Sequence, residues 1–329
     1  MGIELKNQDA TRIGYDPGVT PTYEFPRGNL FAGMNLLINL EIDIAASASA
    51  GVPSFQIGRA IQKLEIKRGN TAVWSISGEM LELMTKYRFG HEGKANAGLT
   101  VATGTNKIGQ LYLPVRFAPD NALKPWEYAM DTRAHKYTLA ITWRDLTAAG
   151  TLFGTNAGTV SATKAENYVD IELVTLQPRP GDRLLEVRPF FRGMIESTHE
   201  VGSNNPKFSI ETPQDGTFRA MTLVTTEDDT DGATVVSGNV FTDKIILTDN
   251  QFKEYHAQRA NFVHQATALR WGLGSSLPDG VYDVNFLEWG SVLDVLASDN
   301  VKKLKFLAEV TKLTGATNIR AIFDSVEQQ

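Results

Sequence analysis

The side chains that could carry chemistry are few and scattered. Five histidines occur, His91, His135, His199, His256 and His264. None forms a His-Glu-x-x-His or His-x-His arrangement, which would gather imidazoles around a metal. His256 and His264 are expected on neighbouring turns of one helix, but they are eight apart and not four. With no cysteine, thiol nucleophiles, disulfides and Cys-ligated metals are excluded. Glu227, Asp229, Asp231 and Gly232 start like a calcium loop, yet Gly238 stands where a bidentate Glu is needed. The run from Gly90 to Lys94 resembles a phosphate loop, but Arg88 replaces the first glycine and Ala95 follows the lysine. Gly272 to Leu277 lacks the third glycine of a dinucleotide loop and reads as a turn. Glu79 and Glu82 sit at helical spacing and are expected on a solvated face. A distant carboxylate pair of the glycosidase kind is the one enzymatic option left open. The expectation is therefore no catalytic, cofactor or metal site, and no enzyme.

Trp126 and Trp289 are either exposed platforms for sugars or packed anchors. They recur at matching places in a repeat, which favours anchoring. Leu111–Thr142 and Ser276–Thr311 both read Leu-Pro, an alternating apolar run, Trp, Asp five residues later, then Lys-aromatic and a strand ending in Thr. Pro114 and Pro278 are 164 apart, Trp126 and Trp289 163, Tyr137 and Phe306 169. Phe31-Ala-Gly-Met34 matches Phe191-Arg-Gly-Met194 at an offset of 160. Ordered matches at a nearly constant offset predict a duplicated domain of about 165 residues. Pro114, Pro278, Trp126 and Trp289 are its expected structural anchors. A buried Trp covers roughly 150–250 Å².

The elements that must position these residues are mostly short strands punctuated by Gly, Pro, Asn and Asp. Gln62–Ser77 predicts a hairpin about Arg68-Gly69-Asn70. Further strands are expected from Asn167, Arg183, Phe218, Asn239 and Ile319. Alternation of Leu304, Phe306, Ala308 and Val310 favours a strand there, paired with the strand from Ile319 in a C-terminal hairpin about Gly315. Two helices are expected. One follows Ser77. The other follows Thr248, with Gln251 completing a capping box. The apolar run from Leu30 is interrupted by Asn35, Asn39, Glu41 and Asp43, so it reads as a long strand and not a membrane span. Asp145–Glu166 and Glu227–Asn239 read as exposed loops.

The 329 residues are 42% hydrophobic and 21% charged, enough for a sizeable core and too apolar for disorder. A net charge of −6 disfavours direct nucleic-acid binding. The polar N-terminus has no apolar signal region. Together these predict an all-β chain of two tandem eight-stranded jelly-roll sandwiches with one short helix in each half. The expected organisation is an N-terminal arm at 1–27, a first roll at 28–178 and a second at 179–329.

The stretches PRGNLFAGMNLLINLEI, QLYLPVRFAPDNALKPWEYAMDTRAHKYTLAITW and LPDGVYDVNFLEWGSVLDVLASDNVKKLKFLAEVTKLTGATNIRAIFDSV resemble double jelly-roll major capsid proteins of tailless icosahedral bacteriophages that enclose an internal membrane, the tectivirus- and corticovirus-like phages. The resemblance implies a homotrimer forming a pseudo-hexameric capsomer that tiles an icosahedral shell. It implies neighbouring capsomers, penton and minor capsid or membrane proteins, and an internal lipid membrane as partners. It also implies location in the virion after assembly in a host bacterial cytoplasm, and no cofactor. The competing class is a carbohydrate- or receptor-binding β-sandwich, which would show an exposed aromatic platform.

Overall fold

The structure, a computed structural model, describes residues 3–45, 51–90, 95–96, 99, 104–118, 124–154, 159–163, 165–178, 187, 190–213, 216–228, 233–249, 253–285, 296–298, 303–313 and 315–329. The chain divides into two compact units, 1–193 with 327–329, and 194–326.

The first unit is built on β1 (Ile3–Gly14), β2 (Thr22–Glu24), β3 (Leu30–Ile44), β4 (Ile61–Arg68), β5 (Thr71–Ile76), α1 (Gly78–Leu83), β6 (Gly104–Arg116), β7 (Tyr137–Trp143) and β8 (Tyr168–Pro178). One sheet runs β1-β8-β3-β6 and the other β2-β7-β4-β5. Strand β3 shows why. Met34, Leu36, Ile38, Leu40, Ile42 and Ile44 are buried, while Asn35, Asn39, Glu41 and Asp43 alternate onto the other face. The polar interruptions seen in the sequence are thus one side of a pleat. Gly33 is required by packing, since a Cβ there would lie 2.1 Å from the Val115 carbonyl oxygen. The hairpin of β4 and β5 turns at Gly69, whose φ is +59. Ser77 caps α1 as expected, its Oγ accepting from the Met80 amide at 3.3 Å. Residues 3–14 of the expected arm pair with β8 from Ile3↔Pro178 to Gly14↔Tyr168.

The second roll is built on β9 (Phe190–Glu200, its first four residues in the first unit), β10 (Asn205–Glu211), β11 (Gly216–Asp228), β12 (Phe241–Thr248), β13 (Glu254–Arg259), α2 (Ala260–Arg270), β14 (Val281–Asn285), β15 (Lys305–Val310) and β16 (Thr317–Gln328, its last two residues in the first unit). Its sheets run β9-β16-β11-β14 and β10-β15-β12-β13. Counting eight strands per unit, both follow the order 1-8-3-6 and 2-7-4-5, with the helix between the fifth and sixth strands. Each unit is therefore an eight-stranded jelly roll. The core of the second unit gathers Phe218, Met221, Phe306 and Phe323 from its two sheets.

Several expectations need correction. The helix expected from Thr248 starts at Ala260. Thr248 lies in β12, and residues 254–259 form β13, paired with 244–248. Thr248 is therefore no helix cap, the Asp249 carboxylate accepts from the Lys253 amide at 2.9 Å, and Gln251 lies outside the described residues. Strands β15 and β16 are not a hairpin, because they belong to opposite sheets and bury Phe306 and Phe323 into one core from two sides. The repeat is real in strand order but misread in register. Phe31–Met34 lies in the third strand of its roll and Phe191–Met194 in the first. Tyr137 and Phe306, by contrast, both lie in seventh strands and are both buried. The loop expected to be exposed at 145–166 buries Leu146, Leu152 and Phe153. Gln56 and Arg59 side chains donate to the carbonyls of Leu152 and Thr151 at 2.6 and 3.0 Å, holding it down.

Candidate functional site

The expected anchors fall in unlike places. Pro114 is buried in β6 opposite Asn35. The short strand Ala95–Asn96 pairs only as far as Gln110 and Leu111, so on that side Pro114 meets no ladder among the described residues, as a strand proline requires. Pro278 is half-buried in the turn before β14. Trp289 lies outside the described residues. Trp126 is 38% exposed, on the single turn Pro125–Tyr128, and is not a core anchor. Among the described residues the fully buried tryptophans are Trp74 and Trp143. The Trp74 indole donates to the Arg192 carbonyl at 2.6 Å, and Trp143 packs edge-on to Tyr15. Their sequence signal was only an alternating strand, shared with many neighbours.

The outer face of β1-β8-β3-β6 carries the richest surface chemistry of the first unit. Arg116 donates to the Asn35 side-chain oxygen at 3.0 Å, and the Asn35 amide donates to Glu172 at 2.5 Å. Gln110 donates to Asn39 at 2.8 Å. Arg12 grips Asp170 through two bonds of 2.6 and 2.8 Å and stacks over Tyr168. Burial lowers the pKa of Arg116, partly offset by Tyr112 and Glu172. A cavity of about 840 Å³ opens here, lined by Leu5, Phe89, Tyr112, Trp126, Val174 and Arg116 among others. Beside it lies a groove with Asp9, Asp170 and Glu172 against one base, Arg12.

The second unit has a contrasting surface. Helix α2 buries Ala260, Val263, Thr267 and Ala268 and leaves Phe262 63% and Leu269 82% exposed. These two, seven residues apart, lie on one stripe. With Lys244, Ala257, Arg259 and Ala266 they line a groove of about 560 Å³ that contains no acid.

The titratable candidates do not converge. His135 packs on the Tyr137 ring, His199 bonds Ser197 at 2.9 Å, and His264 bonds the Val281 carbonyl at 3.0 Å. His256 is on β13 and His264 on α2, so the expected single helix does not join them. His91, the loop at Gly90 to Lys94 beyond its first residue, and Asp229, Asp231 and Gly232 lie outside the described residues. Among the described residues no three His, Asp or Glu gather as a metal site.

Glu79 and Glu82 correct their expected exposure. Glu79 is buried and pairs with Arg59 at 3.3 Å and Arg144 at 3.1 Å. Burial pushes the Glu82 pKa up to about 7, against the Gly58 amide bond and the Lys86 charge. Glu79, Met80, Leu81 and Leu83 are all buried, so the helix lies in the wall of the roll and not on a solvated face.

No protein-family model matches the sequence, and no curated protein matches it. Solved structures do match in fold along nearly the whole chain. The STIV MCP, of Sulfolobus turreted icosahedral virus, superposes with a TM-score of 0.69 at 10% identity, covering 100% of this chain and 97% of its own. The Faustovirus major capsid protein gives 0.66 at 8% identity, covering 99% and 90%. The major capsid protein P2 of bacteriophage PM2 gives 0.58 at 10% identity, covering 99% and 98%. The chain thus has the double jelly-roll fold over its full described length.

Proposed function

We propose that this chain is a major capsid protein, a structural and non-catalytic tile of an icosahedral virus shell. The observation that carries the reading is the pair of rolls with identical 1-8-3-6 and 2-7-4-5 order, matched end to end by capsid proteins of three unlike viruses. Two rolls per chain, taken three times around a threefold axis, give six similar blocks and a pseudo-hexameric capsomer. Such a block tiles a flat facet with contacts that differ only slightly around its rim. Its partners are two further copies of itself, neighbouring capsomers, and penton and minor capsid or membrane proteins. An internal lipid membrane lies beneath, and assembly takes place in a bacterial cytoplasm. A net charge of −6 is tolerable where lipid separates the shell from a genome.

Light scattering on the full chain tests this. The expected species is stable to dilution at about three times 36.1 kDa, with facets or shells by electron microscopy. A chain that stays monomeric and never assembles at high concentration sinks the reading. One observation favours the binding-module alternative: Trp126 and Tyr112 are each 38% exposed beside one cavity. Glycan binding by the monomer, abolished by Trp126→Ala, would shift the conclusion to that class.

A further inference from the structure

The cavity of about 840 Å³ on the outer face of β1-β8-β3-β6 has its described lining in the first unit. Its volume falls in the roughly 300–1,000 Å³ range of small-ligand sites. The described lining carries three guanidiniums, those of Arg88, Arg116 and Arg192, and no carboxylate. The fold fixes two of them. Arg192 is 1% exposed, and its Cζ stands 5.0 Å over the Phe89 ring. Its peptide is held on both sides: the amide donates to the Phe117 carbonyl at 2.9 Å, and the carbonyl accepts from the Trp74 indole at 2.6 Å. Arg116 rests on neutral oxygens, the Val115 carbonyl at 3.1 Å and the Asn35 side chain at 3.0 Å. Glu172 reaches this set through Asn35, which donates to it at 2.5 Å. Setting Glu172 against the three arginines leaves two positive charges among the described residues.

The exposed part of the lining is aromatic. Trp126 and Tyr112 each show 38% of their surface, while Arg192 lies deep. At Tyr112 the cavity adjoins the groove that holds Asp9, Asp170 and Glu172 against one base, Arg12.

These features select a ligand. Guanidinium forks match the oxygens of a phosphate. Two positive charges match the roughly two negative charges of a phosphate monoester near neutral pH. Inorganic phosphate leaves the aromatic surface uncovered, and a neutral sugar leaves the guanidiniums unmatched. A flat base satisfies both ends, because it stacks on an indole or phenol ring. A nucleic-acid strand would carry its next phosphates toward the acidic groove, where like charge repels them.

We propose that this cavity binds a single nucleotide, a nucleoside monophosphate whose phosphate sits among Arg88, Arg116 and Arg192 and whose base stacks at Trp126 and Tyr112. The site goes beyond the shell-forming reading and belongs to the first unit alone, so it stands whether or not three chains assemble.

Isothermal titration calorimetry of the full chain tests this with adenosine 5′-monophosphate, compared with adenosine, inorganic phosphate and a short 5′-phosphorylated oligonucleotide. The monophosphate is expected to bind at least about tenfold more tightly than each of the other three, and more weakly as salt is raised. It should also raise the melting temperature of the chain. Trp126→Ala should weaken binding about tenfold with the melting temperature of the free chain unchanged, since the ring is exposed. Arg88→Gln should weaken the monophosphate about tenfold and leave the weak binding of adenosine as it was, which separates a lost charge from general damage. No binding at about 1 mM monophosphate overturns the proposal. Inorganic phosphate that binds as tightly would reduce the cavity to an anion site, and adenosine that binds as tightly would leave the arginines a role in the fold alone. An oligonucleotide that binds as tightly would make the face a nucleic-acid surface. Each of these three results overturns the assignment, as does wild-type affinity in both variants.

Discussion

The same slot in each roll, between the fifth and sixth strands, holds a helix fastened by a buried carboxylate and an arginine. The two rolls fill it with opposite polarity. In the first, the helix supplies the acid: Glu79 of α1 meets Arg59 and Arg144, which lie outside the helix. In the second, the helix supplies the base: Arg270 of α2 bonds both the carboxylate and the carbonyl of Asp283 on β14, each at 3.0 Å. Asp283 accepts in addition from Thr222 at 2.8 Å, and its amide donates to Thr267 of the helix at 2.8 Å. The topology demands a pinned helix at this point. It does not dictate which partner carries which sign. The helical segments are alike in length, since the π-helical residues Met84–Arg88 extend α1, but only α2 shows an apolar stripe to the outside.

The largest test of this comparison is to remove each acid. Glu79→Ala takes the counter-ion from buried Arg59, which keeps neutral carbonyl partners at Gly150 and Thr151, and should cost about 3–5 kcal/mol in urea unfolding. Asp283→Ala should cost less, about 2–3 kcal/mol, because half-buried Arg270 can turn toward water. Equal losses would erase the asymmetry between the helices. Losses under about 1 kcal/mol at both would show that neither pin matters.

The next effect is tied to pH and to the first roll alone. The Glu82 pKa is raised from 4.5 in the unfolded chain to about 7 in the fold. Below about pH 4.5 both states are protonated and its favourable contribution is complete. Stability then falls as pH rises, and the loss is finished above pH 7, on the order of 3 kcal/mol. Glu82→Gln should therefore melt higher than wild type at pH 8 and at the same temperature at pH 4. A gain independent of pH would place the effect in packing and not in ionisation. The smallest effect belongs to the second roll. Leu269→Ala should change stability by under about 0.5 kcal/mol, while Leu81→Ala in buried α1 should cost about 2–5 kcal/mol.

Much of this architecture was legible in the chain. The hairpin at Gly69, the Ser77 cap and the pleat of β3 follow from local rules that act within a few residues. The seventh strands matched because Tyr137 and Phe306 answer the same demand for a large buried ring. The first strands did not match, because connections of different length shift one roll against the other. From Ile3 and Phe190 to Tyr168 and Thr317, the offset between equivalent strand starts shrinks from 187 to 149. No constant period can follow that drift. The helix after Thr248 was misplaced because Tyr255, Arg259 and Phe262 satisfy helical spacing while strand pairing to β12 decides residues 254–259. The candidate site was the least legible part. Trp126 is expected as a packed anchor in preference to an exposed platform, and the like-charged neighbours Asp9–Glu172 and Lys244–Arg259, set across from each other by strand pairing, exist only once the register is known.

The reversed polarity of the two helix pins also bears on how a tandem chain avoids folding against itself. Neighbouring repeats of one topology risk exchanging equivalent segments while both are partly formed. Glu79 stands in the first turn of α1, whereas Arg270 is the last residue of α2. If α1 entered the slot of the second roll, buried Asp283 would lose the arginine that pins it, and if α2 entered the first, Arg59 and Arg144 would lose Glu79. Each exchanged product would bury a charge without its counter-ion, which is costlier than an apolar mismatch. The sign and place of one ion pair thus label each helix with the roll it belongs to.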